Sequence, residues 1–224
     1  IISGIARRYE RGNLMIDLGK TEAIIPQREQ IPGETFRSGD RVQAYILEVQ
    51  EAESKGAQLI LSRSTPLYLI KLFDLEVPEV SEGIVVIKGA ARDPGFRSKI
   101  AVYSKDSDVD AVGACVGVKG SRVQNVVQEL RGEKIDIVPW NDNDMQFVVN
   151  SLAPAEISKV IIDEVNHSME VIVPDDQLSL AIGKRGQNVR LAMQLAGWKL
   201  DIITETKILE RTNRAKLSLK TIPC

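Results

Sequence analysis

The chain has 224 residues, 43% hydrophobic and 27% charged, with a formal net charge of −2. That length suggests one to three domains, the apolar share can bury a core, and the near-neutral charge argues against a general polyanion binder. Two cysteines, Cys115 and Cys224, give no disulfide framework and suit a reducing compartment, while no apolar run is long enough to span a membrane and no signal peptide is visible. Because Ile1 rather than Met stands first, the chain reads as a fragment of something longer. Residues 1–64 carry nine basic and nine acidic side chains. Their runs "GIARRYERGNLMIDLG", "TEAIIPQRE", "DRVQAYILEVQEA" and "AQLILSRS" alternate like short strands broken by Gly, Pro, Asn and Asp, which predicts a small all-β barrel. Such barrels hold single strands on exposed rings and basic residues. Tyr9, Arg7, Arg8, Phe36, Tyr45 and Arg63 are the candidates, against the alternative that the rings are core and the charges solvated. Aromatic content of only 4% means that stacked rings cannot be the chief contact.

From residue 65 the pattern changes. "PLYLIKLFDL" 66–75 has helical spacing. Two β-rich runs follow, "GIVVIKGAA" 83–91 and "RSKIAVYS" 97–104, joined by a Pro-Gly turn. Then come two short helices broken by Gly117-Val118-Lys119-Gly120, and a closing strand at "KIDI" 134–137. After the short linker "PWNDND" 139–144 the series recurs. It runs through a helix at "DMQFVVNSL" 144–152, strands at "VIIDEV" 160–165 and "SMEVIVP" 168–174, Gly183-Lys184-Arg185-Gly186 between two helices, and "KLDI" 199–202. With 16 glycines, chance supplies roughly one Gly-x-x-Gly in such a chain. What raises the pair above chance is its surroundings. Asp110 matches Asp176, Val116 matches Ile182, Val123 matches Val189, Val127 matches Met193 and Gly132 matches Gly197. That is the mark of a duplicated domain. A linker of about six residues without a Gly/Ser run predicts a fixed tandem. The tail 205–224 carries net charge +3 and does not continue the repeat, so a linker, a packed cap and a loose end all remain open.

The twice-repeated order of helix, strand, strand, helix, helix, strand resembles the KH domain of the type II topology. The expected fold is therefore multidomain: an OB-type barrel over 1–64, two α+β KH domains over 65–142 and 143–204, and a basic tail. Glycines lack Cβ, so backbone can approach a sugar-phosphate strand. The next helix, from Ser121 or Gln187, turns its dipole toward the phosphates. The resemblance implies a clamp on about four nucleotides, formed by Gly117, Val118, Lys119, Gly120, Ser121 and Arg122 and again by Gly183, Lys184, Arg185, Gly186, Gln187, Asn188 and Arg190. Val116, Ile182, Val123 and Val189 are the candidates for an adjacent apolar groove. The competing reading is a tight helix–helix turn with solvated basic residues.

"GACVGVKGS" lacks the spacing of a phosphate loop, and the helical run before it fails the dinucleotide fingerprint. Enzyme chemistry has little to stand on. His167, the only histidine, falls in a predicted hairpin turn. Cys115 reads as a small buried hydrophobe, Asp175-Asp176 as helix N-caps, and no cluster has metal spacing. No cofactor is implied.

Longer stretches narrow the resemblance. "LSRSTPLYLIKLFDLEVPEVSEG" 61–83, "AARDPGFRSKIAVYS" 90–104, "DAVGACVGVKGSRVQNVVQELRGEKIDIVPW" 110–140 and "PDDQLSLAIGKRGQNVRLAMQLAGWKLDI" 174–202 are similar to the central RNA-binding region of the NusA family of bacterial transcription factors. In that family the first 64 residues resemble an S-one-type barrel. The resemblance implies a cytoplasmic, monomeric protein that binds single-stranded nascent RNA and modulates pausing, termination and antitermination. Its partners would be RNA polymerase, mainly through an N-terminal domain missing here, and other antitermination factors. The tail of polynucleotide phosphorylase has the reverse order of modules. The alternative kept open is a ribosome-associated or protein-binding module that uses its KH folds structurally.

Overall fold

The structure, a computed structural model, describes residues 1–52 and 56–220; Cys224 lies outside the described residues. It divides into two compact units, Ile1–Ile137 and one that begins at Val138.

The first unit starts with five strands: β1 (Ile2–Glu10), β2 (Asn13–Asp17), β3 (Glu22–Ile25), β4 (Arg41–Ala52) and β5 (Gly56–Ser62). They close into a barrel in the order β1-β2-β3-β5-β4, so the alternating runs do form the expected all-β module. Inward residues Ala6, Leu14, Ile16, Ala23, Ile25, Val42, Ala44 and Leu61 fill it. Closure demands tight bends, and the register slips once in β1 between Ala6 and Arg8 and once in β4 between Ile46 and Glu48. Gly4 has a packing reason. A Cβ there would lie 2.4 Å from Ile16 Cγ2 and 2.8 Å from the Asp17 carbonyl oxygen, so only glycine lets β1 close on β2.

The α+β part of this unit comprises α1 (Pro66–Glu76), a short α2 (Pro78–Ser81), β6 (Val85–Asp93), β7 (Arg97–Ser104), α3 (Ala111–Val116), α4 (Ser121–Glu129) and β8 (Lys134–Pro139), with sheet order β6-β7-β8. Thr65 caps α1 by accepting from the Leu67 N–H, and Pro66 fits the first turn. The core of Tyr68, Leu69, Leu72, Phe73, Ile100, Cys115, Val126 and Leu130 also takes in Ile31, with Tyr45 of β4 packed against it. Barrel and α+β fold are thus welded by shared apolar surface.

Two buried arginines complete the weld. Arg63 is 2% exposed and bonds both Glu34 oxygens at 2.6 and 2.7 Å, Glu129 Oε1 at 3.0 Å and the Gln43 carbonyl at 2.6 Å. Burial opposes its charge, but Glu34, Tyr68 and Glu129 together outweigh that and hold its pKa above the usual arginine value. Arg92 forks onto Glu133 at 2.7 and 2.8 Å and donates to the carbonyls of Arg63 and Thr65. Glu133, 0% exposed, also accepts from Gly95 N–H and Ser98 Oγ. Arg63 and Tyr45 are therefore corrections to the barrel's expected RNA surface: one is buried on Glu34 and Glu129, the other is half-buried against a core.

The second unit holds α5 (Asp144–Ser151), β9 (Lys159–Asp163), β10 (Ser168–Val173), α6 (Leu178–Ile182), α7 (Gln187–Ala196), β11 (Lys199–Thr204) and α8 (Glu205–Lys220). Asn143 caps α5 through the Gln146 N–H. In the sheet β9-β10-β11 the first pair is antiparallel and the second parallel, with Met169 opposite Leu200 and Val171 opposite Ile202. Val148, Leu152, Met169, Val171, Val173, Ala181, Ala192 and Trp198 form its core. The tail is helical through Lys220. Its first turns are tied down by Arg211 on Glu170 and by Thr206 on Asp175. Asp175 therefore corrects an expectation: its carboxylate receives the start of α8 and does not cap the helix that follows it in sequence.

Candidate nucleic-acid interface

The two glycine loops share one conformation. Gly117 has φ 76° and ψ 174°, and Gly183 has φ 76° and ψ 170°. Lys119 stands at φ 53°, ψ 29° and Arg185 at φ 54°, ψ 30°. Gly120 and Gly186 are left-handed, at φ 76° and 72°. Each fourth residue donates its N–H to the carbonyl of the first at 3.1 Å, and each first glycine donates to the carbonyl four residues earlier at 2.9 Å. A left-handed lysine or arginine is unfavourable by on the order of 1 kcal/mol or more. The fold imposes it at the same place twice, and in both copies it turns a basic side chain outward.

The glycines of each loop do different work. A Cβ on Gly117 would lie 2.6 Å from Arg122 Cγ, and one on Gly183 would lie 2.8 Å from the backbone nitrogen of Asn188. The first glycine is required by packing. The last faces outward: nothing lies within 4 Å of a Cβ on Gly186, and only Val123 Cγ1, at 4.0 Å, near one on Gly120. Open backbone is thus presented where α4 and α7 begin, and neither helix has a side-chain cap on its first turn.

Side chains divide sharply. Val118 is 82% exposed, and Lys119, Ser121, Lys184, Arg185 and Arg190 are exposed. Among the described residues Lys119, Lys184 and Arg185 have no ion-pair partner. Gln187 is half-buried. Two side chains expected at the RNA face turn inward instead. Arg122 Nη1 donates to Ala114 O at 2.7 Å and pairs with Glu79 at 2.8 Å. Asn188, 2% exposed, donates to Leu152 O at 3.0 Å and Ala181 O at 3.1 Å. They occupy equivalent places and staple each loop to the helix before it. Of the groove candidates, Val123 and Val189 pack against the two cores, while Val116 and Ile182 end α3 and α6 half-buried.

On the barrel, Arg7 pairs with Asp17, Arg8 with Glu10 and Glu22, and the Tyr9 hydroxyl accepts from Phe36 N–H at 3.2 Å. Cys115 is fully buried, and that burial pushes its thiol up to about 11, so it stays protonated and packs as a small hydrophobe. His167 sits in the exposed β9–β10 turn, stacked on Trp198 at 3.9 Å with Nε2 beside Gly197 O. Among the described residues no group of acidic, His and Cys side chains could hold a metal ion, and no helix is long and apolar enough to cross a membrane.

Comparison with known proteins matches residues 63–140 to the family described as NusA-like first KH domain and residues 145–210 to NusA-like second KH domain. Similar relatives carry the name transcription termination/antitermination protein NusA. The Rickettsia conorii protein is 51% identical over 97% of this chain and 44% of its own length. The Halalkalibacterium halodurans protein is 51% identical over 94% of this chain and 55% of its own. The Bacillus subtilis protein is 50% identical over 94% and 56%. The chain thus spans about half the length of the curated relatives it matches.

Proposed function

The chain belongs to the NusA family, and from that premise we propose that its two glycine loops clamp single-stranded nascent RNA, through which it modulates pausing, termination and antitermination by RNA polymerase in the cytoplasm. The observation that supports this best is the twin loop: one strained conformation built twice, with outward glycine backbone and three basic side chains unpaired among the described residues. Open backbone beside a helix start takes a phosphate, and the flanking Lys119, Lys184 and Arg185 supply the charge. Sequence preference is left to the bases beyond the clamp. RNA polymerase and other antitermination factors are the partners that this role requires.

Unstacked bases are what such loops engage, so single-stranded RNA is expected to bind more tightly than duplex RNA of the same sequence at matched salt. With about three to five phosphate contacts, log affinity against log salt is expected to fall with a slope of about −2 to −3.5. Fluorescence anisotropy over a salt series reads both. Duplex binding as tight as single-strand binding, or no saturable binding of either, would defeat the proposal.

A further inference from the structure

Within the first unit, a polar cleft of about 350 Å3 runs between the barrel and α4. Phe36, Arg41, Arg63, Gln128, Glu129 and Arg131 line it. Resting on the reading of the first glycine loop as a clamp, we infer that this cleft takes a further nucleotide of the same RNA strand, its base against the Phe36–Arg131 stack and its phosphate on Arg41.

The chemistry comes from what the lining has left to give. Phe36, half-buried against the barrel core, carries two guanidiniums against its ring, Arg63 at 5.4 Å and Arg131 at 5.6 Å from the ring centroid. Arg63 is spent on Glu34 and Glu129. Arg131 is not: its side chain is 60% exposed, and its one ion pair among the described residues is a 3.4 Å contact with a Glu34 oxygen that Arg63 already holds at 2.6 Å. Its backbone is left-handed, φ 58°, directly after the helix ends, which brings the guanidinium over the ring. Arg41 opens β4, is exposed, and has no ion pair among the described residues. Gln128 is exposed, and its side-chain amide makes no hydrogen bond among the described residues. Glu129 Oε1 is taken by Arg63 and Tyr68, and Oε2 has no hydrogen-bond partner among the described residues.

A flat cationic–aromatic platform with one unspent guanidinium and one unspent amide is the equipment for a base and a phosphate. An acidic peptide would use the guanidiniums and leave the platform idle. The position fits as well. Helix α4 starts at the first glycine loop and its nine residues rise roughly 13 Å to the wall of the cleft. A strand leaving the clamp along that helix arrives at Arg131 and Phe36.

The test compares the full chain with Arg41→Gln/Arg131→Gln and with Val118→Asp/Lys119→Asp, using RNA of about four nucleotides, one clamp's worth, and RNA about three times longer. The cleft variant is expected to bind the short RNA as the parent does and the long RNA about tenfold more weakly. Its salt slope for the long RNA is expected to be shallower by roughly 0.7 to 1.4, one or two phosphate contacts. Arg41→Gln alone, at an exposed unpaired position, keeps the test clean if the double variant melts early, with a slope shallower by roughly 0.7. Unchanged long-RNA affinity and slope in the cleft variants, with binding weakened in the loop variant, would overturn the cleft while leaving the clamp standing. Parent-like binding in the loop variant would instead strike the clamp reading itself. Free adenosine monophosphate serves as the last arm. Saturable binding that the cleft variants abolish, with long-RNA affinity unchanged, would make this a free-nucleotide site and overturn the assignment to the strand.

Discussion

Lys184→Asp/Arg185→Asp is expected to weaken single-stranded RNA binding on the order of a hundredfold, and Val118→Asp/Lys119→Asp on the order of tenfold, without changing thermal melting. The asymmetry follows from charge. The second loop loses two unpaired cations, the first only one, and each gains carboxylates where phosphate is to lie. Stability is expected to hold for a local reason. Position 185, like 119, is left-handed, and Asp tolerates that region better than most residues. All four side chains are exposed, where substitutions change stability by less than about 0.5 kcal/mol. Anisotropy beside a melting curve checks this. Early melting would show that the left-handed residues secure the fold, and unchanged affinity with intact melting would reduce the repeat to a structural duplication.

The largest effect on stability is expected at Glu133. Its carboxylate is fully buried and meets Arg92, the Gly95 N–H and Ser98. Glu133→Ala leaves Arg92, itself 8% exposed, as a buried cation without a counterion, which costs about 3–5 kcal/mol. The cause can be separated from simple loss of packing. Arg92→Met/Glu133→Leu removes both charges, and a buried pair replaced by apolar groups of similar size is often neutral. The double variant is therefore expected to be more stable than Glu133→Ala alone, a coupling that urea denaturation reads as a difference in midpoint. A loss below about 1 kcal/mol in Glu133→Ala would show that water reaches the site and the charge was never isolated.

Much of this molecule is legible in its sequence. Period-two alternation located the barrel strands. Helical spacing placed α1 and α5, and Pro94-Gly95 marked the turn between β6 and β7. The glycine loops stood out because two copies agreed over long flanks, a signal no single motif carries. α2 escaped because one turn starting at Pro78 has no period to detect. Arg63 escaped for a different reason. Its partners Glu34 and Glu129 lie 29 and 66 residues away, and nothing local distinguishes a buried arginine from a solvated one. Arg122 and Asn188 were readable in principle. Arg122 stands four residues before buried Val126, and Asn188 three and four before buried Leu191 and Ala192. Helical phase alone puts both on the inner face. The charge and amide chemistry of those side chains pointed toward RNA, and the period, which pointed inward, decides. The seam cleft was out of reach because residues near 36, 41 and 130 meet only when barrel and α+β fold share a core.

The most direct test of the two clamps is an NMR titration of the isotope-labelled chain with single-stranded RNA of about four nucleotides, enough for one grip. The amides of Gly117–Val123 and of Gly183–Val189 are expected to shift as RNA is added and to saturate, with the outward glycines Gly120 and Gly186 among the largest changes. RNA that binds while both glycine loops keep their resonances would contradict the account.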